Sequence, residues 1–225
     1  MPGGLATNGS KLSITTANAV AGVMREAEAF AVPTNSKYKT INDLMADIKA
    51  NPKAVAIGGG NYGGVDHVTV ATLAETLGVK ALDLNYIPYS GGGTLVPDVI
   101  GGRVAVGVSG TSEFASYVAA GKMRILAVTS PKPLKAIKGK TLVQQGVNLT
   151  FGNWRGILAP ADLSAADLLN TLKVIDTLHA SNSWKETLVA KSWIDEYRVG
   201  NPFSSWIKTE NSSIMKILAD FKLIK

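Results

Sequence analysis

The stretch Ala54-Val55-Ala56-Ile57-Gly58-Gly59-Gly60-Asn61-Tyr62-Gly63-Gly64, followed by Val65–Leu77, decides the fold. Ala54–Ile57 is a short apolar run of buried-strand type. Five glycines in seven residues close it. Val65–Leu77 then carries Val68, Ala71, Leu73 and Leu77 on one helical face and stops at Gly78. A strand, a glycine loop and a helix in immediate succession form one unit of an α/β sheet. The loop lets backbone approach a ligand, and the helix start offers unpaired N–H groups and the positive end of its dipole. Such a place suits a carboxylate or a phosphate. A tight turn whose glycines only relieve crowding is the plainer alternative.

Outward from this unit the alternation continues. Ile41–Ala50 reads as a helix, with Thr40 as cap and Asp43 completing the capping pair. Ala81–Ile87 is the next strand, Thr94–Ile100 a helix, Arg103–Val108 a strand, Ser112–Ala120 a helix and Met123–Thr129 a strand. Connections this short predict a mostly parallel sheet covered by helices on both faces. Residues 131–153 read as a connector. Beyond it come a strand over Gly156–Pro160, helices over Ser164–His179 and Ser183–Ala190, a brief strand at Tyr197–Val199 and a terminal helix over Pro202–Phe221. Residues 1–30 carry only Leu12–Ile14 and Glu28–Val32 as strand and read as the tail end of a structure. Trp184, Trp193 and Trp206 read as packing, Trp154 as packing at the junction or a ligand wall, and His179 as a surface or cap residue.

Two further loops fall at the same end of the predicted sheet. Tyr89-Ser90-Gly91-Gly92-Gly93-Thr94 and Ser109-Gly110-Thr111 each leave a strand and open a helix. In open α/β sheets ligands bind outside the carboxyl ends of the strands. The donors on offer are backbone amides and the side chains of Tyr89, Ser90, Ser109 and Thr111, without any Lys or Arg. Gly58, Gly60 and Gly63 also fit G-x-G-x-x-G, which keeps a nucleotide-binding domain open, although Asp83 falls early in its strand. Gly107–Thr111 misses a nucleophile elbow by one residue, which leaves a serine hydrolase as a weaker alternative. His67, beside Asp66, is placed to donate to a ligand or to fasten the loop.

Composition narrows the classes. The 225 residues are 46% apolar and 18% charged, a globular balance. With no cysteine and two histidines, disulfides and thiolate chemistry are excluded and a multi-histidine metal site is not expected. The net charge of +6 lies in the C-terminal part: residues 1–121 hold 8 Lys/Arg against 9 Asp/Glu, residues 122–225 hold 15 against 8. The lysines are not interleaved with aromatics, which argues against nucleic-acid binding. No apolar run is long enough for direct membrane insertion, and no leader pattern precedes the first strand.

The ordered motifs Gly58–Gly64 with Asp66-His67, Ile87–Gly93, Gly101–Val104, Ala120–Val128 and Asn153–Gly156 with Ala159-Pro160 resemble the substrate-binding receptors of tripartite tricarboxylate transporters, the Bug family. The resemblance covers about residues 20–225. It implies an α/β periplasmic-binding-protein architecture of two lobes, with 31–150 as an intact second lobe and 1–30 plus 151–225 as the remainder of an N-terminally truncated first lobe. The chain would cross between lobes near Ala31–Pro33 and near Thr150–Asn153. The family implies a periplasmic location after loss of a signal peptide, a small di- or tricarboxylate as ligand, membrane permease subunits as partners, and neither catalysis nor cofactor. The expected ligand wall is Gly59, Gly60, Asn61, Tyr62 and Gly63, then Tyr89, Ser90, Gly91 and Gly92, then Ser109, Gly110 and Thr111, with His67 behind the first loop.

Overall fold

The structure, a computed structural model, describes residues 2–10 and 13–224. In chain order its elements are α1 (Pro2–Thr7), β1 (Asn18–Pro33), α2 (Ile41–Ala50), β2 (Ala56–Gly59), α3 (Val65–Thr76), β3 (Asn85–Pro88), α4 (Gly92–Ile100), β4 (Val106–Gly110), α5 (Thr111–Ala119) and β5 (Met123–Val128). After the connector come β6 (Gly152–Ala159), α6 (Ala165–Ala180), α7 (Asn182–Lys191), β7 (Ile194–Val199) and α8 (Asn201–Asp220). None of the described helices is long and apolar enough to cross a membrane.

The α/β alternation over 40–130 is present. At α2, the Thr40 hydroxyl accepts from the Asp43 amide at 3.2 Å while the Asp43 carboxylate accepts from the Thr40 amide at 2.9 Å. These bonds satisfy donors that the first turn leaves orphaned. The sheet runs β3-β2-β4-β1-β5, with β2 parallel to β3 and to β4. Along β1, Phe30 and Val32 face a core shared with Ile41 and Leu44 of α2 and Leu73 of α3. The intervening Ala29 and Ala31 face Leu95 and Val99 of α4 and Phe114 of α5. This period-two alternation lets one strand serve both layers.

β1 departs most from the sequence reading. The expected strand Glu28–Val32 begins ten residues earlier, at Asn18, and Ile14–Thr16 is a single tight turn capped by Ser13. (Leu12, the start of the other expected strand, lies outside the described residues.) β1 runs antiparallel to all four of its neighbours, β4, β5, β6 and β7. The sheet is therefore mixed rather than mostly parallel. Alanines and a glycine make up five of the twelve residues 18–29, and these form strand here because partners lie on both sides, so pairing overrides weak propensity.

β1 also changes partners. Asn18–Ala27 pairs with β6 and in part with β7, and Glu28–Pro33 pairs with β4 and β5. The transfer falls between Ala27 and Glu28, and β6 takes up the return at Gly152. Thr129 ties the two passages together. Its hydroxyl accepts from the Glu28 amide at 2.8 Å and donates to the Phe151 carbonyl at 2.8 Å, and its amide donates to the Glu28 carbonyl at 2.9 Å.

The remaining helices brace this three-strand ribbon. Arg25 of β1 meets Glu196 of β7 at 3.0 Å, and Trp206 of α8 lies beneath the guanidinium groups of Arg25 and Arg198. Trp154 packs edge-on against Trp206 and Phe203, so it fills the junction. Ile214 and Leu218 of α8 reach Val68 of α3. His179 stacks on Tyr197 and bonds Asp195, at the surface.

Because Phe30 is wholly enclosed between α2, α3 and the sheet, Phe30→Ala is expected to cost about 3–5 kcal/mol in a urea titration. A loss under about 1 kcal/mol would contradict this packing.

Candidate functional site

The three glycine loops leave the carboxyl ends of β2, β3 and β4. Gly110, the last residue of β4, pairs with Glu28, so this end of the sheet faces the point where β1 arrives from the β6–β1–β7 ribbon. The loops thus come together at one mouth. What fills that mouth was not legible beforehand.

The first loop is held by its own helix and by aromatic neighbours. The Gly60 amide donates to the Asp66 carboxylate at 2.7 Å, and the Gly63 amide donates to His67 Nδ1 at 3.0 Å. His67 is buried, and burial pushes its pKa down to about 4, so it stays neutral and fastens the loop. Tyr86 donates to the Gly60 carbonyl at 2.7 Å, and Tyr62 donates to the Tyr86 carbonyl at 3.0 Å. The Asn61 carbonyl accepts from the Gly64 amide. A Cβ at Gly59 would lie 2.4 Å from the Tyr86 hydroxyl, and one at Gly58 would lie 2.6 Å from Leu95. These two glycines admit the protein's own side chains. Gly63 has φ +71, so its glycine is conformational. From outside, Thr7 of α1 donates to the Tyr62 carbonyl at 3.0 Å.

The third loop is also occupied. The Ser112 amide, at the start of α5, donates to Glu26 Oε1 at 2.8 Å. A Cβ at Gly110 would lie 2.7 Å from the Glu26 carboxyl carbon. Ser109 lies beside Asp66, and among the described residues the buried Thr111 hydroxyl has no partner. The second loop differs. Among the described residues the amides of Ser90 and Gly91 have no acceptor, and α4 has no side-chain cap. Ser90 faces Thr94. The Tyr89 hydroxyl turns along α4 and donates to Asp98 at 2.8 Å, which takes it out of the expected wall.

Sequence reasoning missed Glu26 and Glu28. Both alternate on one face of an otherwise apolar strand, and that pattern was the available signal. Glu28 is wholly buried, and among the described residues no N–H or hydroxyl reaches either carboxyl oxygen. Burial, then the neighbouring Asp66 and Glu26, raises its pKa well above the usual carboxylate range, against a smaller pull from Arg155. Asp66 is raised by burial too. Burial thus favours the neutral, protonated form of Glu28.

Among the described residues no cluster of acidic and imidazole groups suits a metal ion. A cavity of about 320 Å³ lies away from the three loops, between Leu134–Ala136 and the Leu188–Trp193 stretch.

The family model of the tripartite tricarboxylate transporter family receptor matches residues 10–198. The chain belongs to this receptor family. In sequence the chain is similar to a Cupriavidus necator protein known as "UPF0065 protein in gbd 5'region", 31% identical over 130 residues, which are 57% of this chain and 38% of that relative. Protein BugT of Bordetella pertussis is 31% identical over 99 residues, 43% of this chain and 29% of BugT. The chain spans 36% and 38% of the length of the first two curated relatives it matches. In fold it is similar to the periplasmic binding protein BugD, with TM-score 0.82, 20% identity and coverage of 99% of this chain and 77% of that one. MatC from Rhodopseudomonas palustris, solved with malate, superposes with TM-score 0.74 at 13% identity, covering 100% and 76%. The family and the fold are those of solute-binding proteins.

The proton on Glu28 has a consequence for stability. Unfolded, Glu28 and Asp66 ionise at ordinary carboxylate pKa values; folded, they hold protons to higher pH. The folded state then binds more protons, and the stability this contributes is lost as pH rises from the ordinary carboxylate range through the raised values. Glu28→Gln is expected to raise the melting temperature more at pH 8 than at pH 5. An equal shift at both pH values would refute the neutral carboxyl.

Proposed function

We propose that this chain is the ligand-capturing part of a solute receptor. It holds a small organic di- or tricarboxylate between the wall of three loops and the β6–β1–β7 ribbon, and presents it to membrane permease subunits from the periplasmic side. On this reading residues 31–150 act as one lobe and residues 1–30 with 151–225 as the other. The observation that carries it is the convergence of three helix starts at the point where β1 changes partners, with the amides of Ser90 and Gly91 still unpaired. An unpaired helix start is a ready carboxylate site. Ser109 and Thr111 add hydroxyls beside it. That MatC was solved with malate, and another R. palustris structure similar in fold with adipate, supports a carboxylate class.

The rivals are less well supported. Asp83 lies in a short turn ahead of β3, not at a strand end, and the glycine-loop amides that a pyrophosphate would need already hold Asp66 and His67. Ser109 sits beside Asp66 and His67 is committed to Gly63, so Ser109 lacks an imidazole base.

Calorimetry against succinate, malate, adipate and citrate is expected to show saturable binding by at least one. Gly93 has open space around the position of a Cβ. Gly93→Asp therefore fits, and it adds a carboxylate at the unpaired amides. It should weaken binding at least tenfold without lowering the melting temperature. No binding to any of the four acids would sink the proposal.

A further inference from the structure

The cavity of about 320 Å³ that lies away from the loops has two walls, drawn from distant parts of the chain. One is the turn Leu134–Ile137 in the connector after β5. Ile137 is buried in the same core cluster as Phe114 and Val128, Leu134 packs partly on that cluster, and the Ile137 amide donates to the Leu134 carbonyl at 3.2 Å. The turn is anchored from below, and Lys135 and Ala136 are left exposed at its crest. The other wall is the end of α7 with the start of β7. α7 stops at Ser192, whose φ of 56 is left-handed. That reversal lets the Trp193 amide donate back to the Leu188 carbonyl at 2.9 Å, and Leu188 and Trp193 line the same wall.

The floor of the cavity is apolar and its rim is charged. Lys135 and Lys185 both line it, both are exposed, and neither has an ion pair among the described residues. Asp195 lines it too, but its carboxylate is already engaged. His179 Nε2 lies 3.1 Å from both oxygens, and the Tyr197 amide donates to one of them at 3.2 Å. The uncompensated charge is therefore positive, and it sits in the part of the chain that carries the basic excess, 15 Lys/Arg against 8 Asp/Glu over residues 122–225. Small-molecule sites have volumes of about 300–1,000 Å³, mostly apolar walls and a few charged groups that fix orientation. A ring suits the Trp193 face between two leucines, and an anionic group suits the two lysines.

We propose that this cavity is a second ligand site, for an organic anion built from an aromatic body and one carboxylate. The ring lies against Trp193, Leu134 and Leu188, and the carboxylate meets Lys135 and Lys185. Recognition here uses side-chain charge and apolar area, whereas the glycine loops offer amides and hydroxyls without any Lys or Arg. The two sites share no residue, so this inference stands apart from the carboxylate-receptor reading.

Naphthylacetate, naphthylacetamide and acetate separate the ring from the charge. In calorimetry naphthylacetate is expected to bind saturably, at least tenfold more tightly than either of the others. Lys135→Glu and Lys185→Glu should each weaken it at least threefold, and together at least tenfold. Both lysines are exposed, so thermal melts should not move. Binding should change the tryptophan fluorescence of the parent chain, and Trp193→Phe should abolish that change. Gly93→Asp, at the start of α4, should leave the naphthylacetate affinity as it was. No saturable binding, equal affinity for the acid and its amide, or full affinity in the double lysine variant overturns the second site. So does a loss confined to Gly93→Asp, which would move the probe to the loops. Self-association in sedimentation that Ala136→Trp dissolves would give this face to a second copy of the chain and overturn the proposal as well. None of these results bears on the binding of succinate, malate, adipate or citrate, which tests the carboxylate reading separately.

Discussion

Everything in this molecule is organised around one strand that has two sets of partners. β1 carries its hydrogen-bonding edges from β6 and β7 to β4 and β5 without a break. A strand of ordinary length would serve one sheet. Sixteen residues, more than twice the ordinary strand, span two. At the transfer, backbone groups are at risk of being left unpaired, because neither set of neighbours covers them fully. The Thr129 hydroxyl solves this by pairing with both the Glu28 amide and the Phe151 carbonyl. The same transfer brings Glu26 and Glu28 to the carboxyl ends of β2 and β4. The geometry of the candidate site is therefore a by-product of where β1 changes neighbours.

The loops show how a motif and its use can part company. Glycines that read as room for a ligand turn out to be divided. Gly58 and Gly59 admit Leu95 and Tyr86, Gly63 takes a left-handed backbone, and Gly91 and Gly93 stand in open space. The amides of the first and third loops hold internal carboxylates, much as a bound anion would be held. An anion-binding geometry is present at each helix start, and the protein supplies most of the anions itself. Tyr89, the most obvious hydroxyl of the second loop, packs along α4 instead.

The aromatic residues of the C-terminal half settle a different question. Trp154 and Trp206 join β6 to α8, and the Trp206 ring lies under two guanidinium groups that share Glu196. Such contacts add cation–π attraction to apolar burial. They hold β7 against β1 on one side while Ile214 and Leu218 carry α8 across to α3. The ribbon and the larger sheet are thus clamped by α8 as well as by the shared strand.

Local signals were sufficient for much of this. The capping pair at Thr40 and Asp43, the helix stop at Gly78, the apolar face of α3 and the short strand–loop–helix units depend on contacts a few residues apart, so the residues themselves determined them. The three loops at one sheet end followed from the same local pattern. Long-range pairing decided the rest. Nothing within Asn18–Ala27 marks it as strand, because its small residues become strand only between β6 and β7. The direction of β1 within the sheet, and with it the mixed order, depends on partners more than 70 residues away. Whether an amide faces a ligand or Asp66, and whether Glu28 keeps its proton, depends on burial that only the folded chain creates.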